Sequence, residues 1–184
     1  MYFQFGVDKL IQAVGVLLRS EADRRMGYLR LLKLLYIADR EALEERGRPI
    51  VGTRPVAMDY GPVHSEVLDL VNGQHWAEQR WSAFIRKDGY EIELTDDPGV
   101  LSLSRYEIAK LNEISARYRE LDQWELANLT HEFPEWKAHH VPGSSSDIPL
   151  EDILAAVNRS DDQDEILREA EETHALNRLL GMTS

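Results

Sequence analysis

Cysteine is missing from all 184 residues. That excludes disulfides, thiolate zinc sites and cysteine nucleophiles, and it fits a reducing cytoplasm. No apolar run reaches the ~18 residues of a membrane span. The start, MYFQFGVDKL, has no basic stretch followed by an apolar one, so no secretory signal is expected. Positive charge is scarce: 21 Lys and Arg stand against 33 Asp and Glu, a net charge of −12. The deficit is uneven. Residues 1–48 hold nine Lys/Arg against seven Asp/Glu, whereas 141–184 hold three against ten. Such a surface repels phosphates, which disfavours nucleic acid and favours a basic protein partner. Also absent are a G-x-S-x-G elbow, a P-loop and a Rossmann glycine pattern. No catalytic residue, metal or cofactor is therefore expected, and the reading is of a binding protein, not an enzyme.

What is present is helical periodicity. Val7, Leu10, Ile11, Val14, Leu17 and Leu18 recur at helical spacing over 7–19. After Gly27 a second helix is predicted over about Tyr28 to Arg46, apolar on nearly every side in its first half, which marks a buried central helix. Gly47 and Pro49 end it. Val56 and Met58 alternate with Ala57 and Asp59 in a short strand near 54–59. Pro62 then suits the first turn of a third helix, about 62–72. Trp76 and Trp81 frame a loop, and Asp88-Gly89 between two β-like runs predicts a hairpin. Ser104 with Glu107 three residues on reads as a capping box. A shorter helix from about 123 is ended by Pro134. Residues 141–149 read as a linker. Beyond it, 150–184 forms an acidic helical extension, its last helix about 162–180 with Ile166, Leu167, Ala170, Leu176, Leu179 and Leu180 partly covered.

The expected fold is α+β and mostly helical: a compact helical core with a short strand and a β-hairpin in winged-helix-like order, plus the C-terminal extension. That order nominates the third helix as a groove reader. Its outer face, with His64, Ser65, Glu66 and Asp69, carries two carboxylates and no Lys or Arg, which argues against DNA.

Two constellations invite chemistry. Lys33 and Asp39 lie on the central helix, but six residues at about 100° each set them ~240° apart, so they do not meet side by side. The favoured reading has Lys33 snorkelling past the core and Asp39 capping neighbouring backbone or pairing with an arginine. The stretch HEFPEWKAHH is not HExxH, since Pro134 breaks the helix that motif needs. The favoured reading packs His131 near Trp136 and leaves His139 and His140 solvated. A metal-dependent hydrolase centred on His131 is the alternative of another class.

The run from 28 to 71, YLRLLKLLYIADREALEERGRPIVGTRPVAMDYGPVHSEVLDLV, resembles the signature of the Panacea domain, the SocA-like antitoxin domain. The matching elements are Leu32 to Asp39, Gly47 to Ile50, Val56 to Met58 and Tyr60 to Val63, with LSLSRYEIAKLNEI and THEFPEW later. His64 stands where the pattern more often has proline. The likeness covers about 7–140, giving a domain at 1–140. It implies a bacterial or phage antitoxin that binds and neutralises a cognate toxin encoded beside it. The family is also associated with delivery of the toxin to a Clp protease, so a proteolytic adaptor is the alternative. Lys33, Tyr36, Asp39, Gly61, Pro62, His131 and Trp136 would then be structural signature residues. Toxin-facing candidates are Tyr60, His64, Glu66 and Asp69, together with Asp162, Glu165, Glu169 and Glu172 on the last helix. Self-association is a further partner considered.

Overall fold

The protein, described here from a computed structural model covering Phe3 and residues 5–179, is a mostly helical α+β fold. Helix α1 runs Val7–Arg19 and buries nine consecutive residues from Leu10 to Leu18. A three-residue strand, β1 (Arg25–Gly27), leads into α2 (Tyr28–Arg46). α2 is the central element, burying Leu31 to Asp39 without interruption along with Ala42 and Leu43. Its Leu-, Arg- and Glu-rich sequence favours helix. It stops where Gly47 adopts the left-handed conformation, φ 68°, and its amide bonds the Leu43 carbonyl at 2.9 Å.

Strand β2 (Pro55–Met58) turns directly into β3 (Gly61–His64), its antiparallel partner in register Val56 with Val63. The expected helical start at Pro62 is thus corrected: Pro62 lies in a strand, and α3 is only Ser65–Val71. The cause is Gly61, whose φ of 93° reverses the chain. The Trp76 to Trp81 segment, expected as a loop, holds a short α4 (Glu78–Ser82) because Trp81 is buried beneath it while Trp76 stays exposed.

The hairpin appears as β4 (Ile85–Asp88) and β5 (Glu91–Leu94) around a Gly89-Tyr90 turn, one residue later than Asp-Gly. β5 also pairs with β1, giving the order β1-β5-β4. Next comes α5 (Arg105–Arg117), capped as predicted: the Ser104 hydroxyl accepts from the Glu107 amide at 3.2 Å, and Glu107 accepts from the Ser104 amide at 2.7 Å. Replacing Ser104 with Ala should lower the unfolding free energy by about 1 kcal/mol in urea titration.

A second capping box, Asp122 with Glu125, opens α6 (Gln123–Thr130). Pro134 does not end that helix; it occupies the first turn of α7 (Pro134–His139), where a missing amide costs nothing. The segment read as a linker contributes β6 (Ser146–Asp147), which zips onto β2 to give the order β3-β2-β6. α8 (Leu150–Ala156) and α9 (Gln163–Leu179) follow.

One core surrounds α1 and α2 and includes Leu111 and Ile114 of α5 and Ile92 of β5. A second joins Leu43, Ala57 and Trp136 of the body to Ile148, Leu150, Ile153, Leu154 and Ile166. The acidic extension is therefore packed against the body, with Ile166 and Ala170 buried and Leu167 partly so. The side chains of Leu176 and Leu179, and Leu180 altogether, lie outside the described residues.

Candidate functional site

The two charges on α2 hold two different loops. Asp39 is 4% exposed, and its carboxylate accepts from the amides of Ile50 at 2.8 Å, Val51 at 3.0 Å and Gly52 at 3.2 Å. Three converging amides are a strong anion cradle, and here they pin the loop between α2 and β2. The expectation that Asp39 caps neighbouring backbone describes this geometry.

Lys33 departs from expectation. It is 0% exposed, ammonium included, so it does not snorkel. Its Nζ donates to the Pro62 carbonyl at 2.7 Å, and among the described residues no carboxylate lies within 4 Å of it. The β2–β3 turn covers it: a Cβ built on Gly61 would lie 3.1 Å from Nζ. Burial drives the Lys33 pKa well below the 10.5 of a free lysine. The linkage has a definite sign. Between the folded pKa and 10.5 the unfolded chain holds the proton that the folded chain has lost, so stability rises with pH across that window. Wild type should gain up to about 1.4 kcal/mol per pH unit relative to Lys33→Met in urea unfolding as the pH rises towards 10.5 within that window. Parallel curves would show that Lys33 keeps its proton.

His64, expected on the outer face of the third helix, is instead 3% exposed. As the last residue of β3 it turns inward: Nε2 lies 3.3 Å from Asp39 Oδ2, and the ring tilts against Tyr36 at 5.7 Å. Neither ring nitrogen has a well-formed hydrogen bond. Burial pushes His64 down and Asp39 up, while the three amides and His64 hold Asp39 in the opposite direction. Tyr36 donates to Glu135 Oε1 at 3.2 Å, and Arg40 Nε donates to the same oxygen at 2.8 Å. Burial raises the Tyr36 phenol well above 10, so it stays a donor. Asp39, His64, Tyr36, Arg40 and Glu135 thus form one buried polar array. Sequence reasoning assigns neither Glu135 nor Arg40 to it: i,i+4 spacing puts Arg40 on the solvent side with Glu44, whereas in the structure it turns to Glu135. Glu135 occurs in a helix of only six residues, too short to show a buried face by periodicity.

His131 stacks on Trp136 with ring centres 4.2 Å apart, as expected, and His140 also stacks on Trp136, at 4.4 Å. Trp136 donates to the Met58 carbonyl at 2.9 Å, His131 Nε2 is 3.1 Å from the Asp59 carbonyl, and His140 Nε2 is 3.0 Å from Asp59 Oδ1. The three rings clasp the β2–β3 turn. The solvated histidine pair is corrected: His139 reaches Asp152 at 2.5 Å and His140 reaches Asp59. Among the described residues no three His, Asp or Glu side chains gather as a metal site, and no helix is long and apolar enough to cross a membrane.

On the outside, above this scaffold, lies a groove of about 550 Å³ lined by Tyr28, Leu32, Met58, Tyr60, Leu68 and Trp124, among others. Tyr60 and Trp124 meet edge to face at 5.4 Å and are 58% and 50% exposed. Tyr90, 78% exposed, lies parallel to Tyr28 at 6.3 Å. The clasped turn carries Tyr60, so the buried array and the groove share one support.

The other candidates are dispersed. Glu66 is turned back to the Arg54 amide and the Ser65 hydroxyl, each 2.9 Å away. Asp69 is half-buried next to Leu68. On α9, Asp162 pairs with Arg159 and Glu169 with Arg48, while Glu165 and Glu172 face outward.

No curated protein and no solved structure matches the chain significantly. The family model for the antitoxin SocA-like, Panacea domain matches residues 31–137, which contain most of α2, both sheets except β1 and β6, and the stacked His131 and Trp136, and the chain belongs to that family.

Proposed function

We propose that this protein is an antitoxin that neutralises a cognate toxin, encoded by the neighbouring gene, through direct protein–protein contact in the bacterial cytoplasm. Family membership over 31–137 is the observation that carries this reading. The chemistry of the molecule supports it. The polar residues inside are used to fix loops and turns, as a rigid binding module requires. Outside, a net charge of −12 suits a basic toxin, because complementary potentials speed encounter and suppress wrong partners. Tyr60 at the groove, the half-buried Asp69 next to Leu68, and Glu165 and Glu172 on α9 are the contact candidates that reach the surface. His64 is withdrawn as a contact residue because it is buried.

Co-expression with the neighbouring gene tests the reading. Restored growth together with a stable co-purifying complex is the expected result. Restored growth with loss of the toxin protein, dependent on a Clp protease, would instead give the adaptor function. A harmless neighbour and no complex would overturn the proposal.

A further inference from the structure

Three exposed aromatic residues converge on one groove although they come from distant parts of the chain. Tyr60 sits in the β2–β3 turn, Tyr90 in the β4–β5 turn and Trp124 in the first turn of α6. Exposed rings usually occur singly and need no explanation; a contiguous set around a cavity marks a contact surface. Tyr and Trp are also the residue types that dominate binding energy at interface centres.

The support under the groove is rigid. Tyr60 follows Asp59, which is held by His140 and by the Gly143 amide, and precedes Gly61, which seals Lys33. Trp124 is fixed by the Asp122 cap, whose carboxylate accepts the Trp124 amide at 2.7 Å. The rings are therefore preorganised, which lowers the entropic cost of docking.

The charges around the groove identify its occupant. The lining itself is uncharged, but three carboxylates neighbour it in the chain: Asp69 follows Leu68, and Asp122 and Glu125, which also cap α6 and stay exposed, flank Gln123 and Trp124. Nearby cations are largely engaged. Arg30 donates to the carbonyls of Leu121 and Tyr118, Arg25 pairs with Asp88 and Glu91, and Lys87 lies 5.0 Å over the Tyr28 ring. Carboxylates beside open aromatic faces recognise cationic side chains twice, by charge and by cation–π attraction.

We infer that the groove between Tyr60, Tyr90 and Trp124 is the toxin-docking surface, and that it takes a basic segment of the toxin, seating an apolar or aromatic side chain in the groove against the Tyr60–Trp124 pair, with Arg or Lys reaching the carboxylates of Asp69 and Glu125 at its rim. This rests on the antitoxin reading above and adds to it the surface and the chemistry of the partner. The acidic outer face of α9 becomes secondary.

The test uses the full chain and the purified product of the neighbouring gene, with affinity read by titration calorimetry and neutralisation by growth. Tyr60→Ala with Trp124→Ala should weaken binding by about 30-fold or more. Tyr90→Ala, in an exposed turn, guards against loss of folding and should weaken it by a smaller factor. Asp69→Lys with Glu125→Lys should weaken binding about tenfold at physiological salt and flatten its salt dependence. Glu165→Lys with Glu172→Lys on α9 should change little. Melting curves establish that every variant is folded at the assay temperature; Glu125→Lys, which removes a helix cap, should melt slightly earlier than wild type. If wild type binds and neutralises while the groove variants do the same, the groove assignment is wrong and the antitoxin reading stands. If only the α9 variants fail, the docking surface is α9. If Trp124→Ala abolishes self-association instead, the occupant is a second copy of the chain and the inference falls. If wild type neither binds nor neutralises, both readings fall together.

Discussion

Asp39→Ala is expected to lower the unfolding free energy by about 3–5 kcal/mol, the cost of removing one partner from a buried, charge-assisted hydrogen-bond set. Three amides, those of Ile50, Val51 and Gly52, would lose their shared acceptor inside the fold. His64, 3.3 Å away, would lose the only carboxylate within 4 Å of it among the described residues. Asp39→Asn keeps one oxygen but cannot serve all three donors, so its cost should be intermediate. Urea unfolding reads both variants, and amide exchange should show Ile50 to Gly52 losing protection first. A loss below about 1 kcal/mol for Asp39→Ala, the size of a surface contact, would mean that water can replace the carboxylate and that the loop is not pinned from α2.

The second large effect belongs to Gly61. With φ at 93° the backbone is strained for any L side chain, and the Cβ of alanine would lie 2.4 Å from Thr130 Oγ1, 3.1 Å from Lys33 Nζ and 3.5 Å from His131 Cδ2. Thr130 cannot swing away freely: it is fully buried on α6 and its hydroxyl bonds the Ala127 carbonyl at 2.9 Å. Strain and overpacking add, so Gly61→Ala should cost about 3 kcal/mol or more. Thr130→Ala alone should cost about 1 kcal/mol for its hydrogen bond. Because it removes the nearest clashing atom, the double variant should be more stable than the sum of the two losses predicts, by about 1 kcal/mol. Strict additivity would show that the clash lies elsewhere. Since Gly61 also lines the groove, the single variant should lose partner binding at temperatures where it is still folded.

These two residues also show where sequence reasoning stops. α1 and α2 are legible to the residue because their apolar positions repeat and glycine marks the end of α2. Ser104 and Glu107 announce α5 through a spacing that has one local meaning. β1 and β6 are different. Strands of three and two residues carry no period of their own and exist because β5 and β2 offer them an edge. Pro62 misleads for a related reason. Proline fits both a helix start and a strand position, and only the positive φ of Gly61 decides for the hairpin. That choice moves His64 from the surface to the core. At the site, Asp39 as a backbone cap and His131 stacked on Trp136 follow from residue type and position. The burial of Lys33 does not, because it depends on a turn 29 residues away folding over it. The groove is invisible locally: its lining comes from 28–32, 58–63, 68, 90 and 123–124. Among its rings Tyr28 and Tyr60 stand inside the family signature quoted from the sequence, whereas Tyr90 and Trp124 lie outside it.

The most direct test of neutralisation by contact uses purified components with no protease present. Toxin activity is titrated with increasing amounts of this protein. Direct neutralisation predicts that activity falls linearly and reaches its floor at a fixed stoichiometric ratio, with the toxin recovered intact in the complex. Toxin activity that persists at saturating protein, while the same pair restores growth in cells, would contradict it.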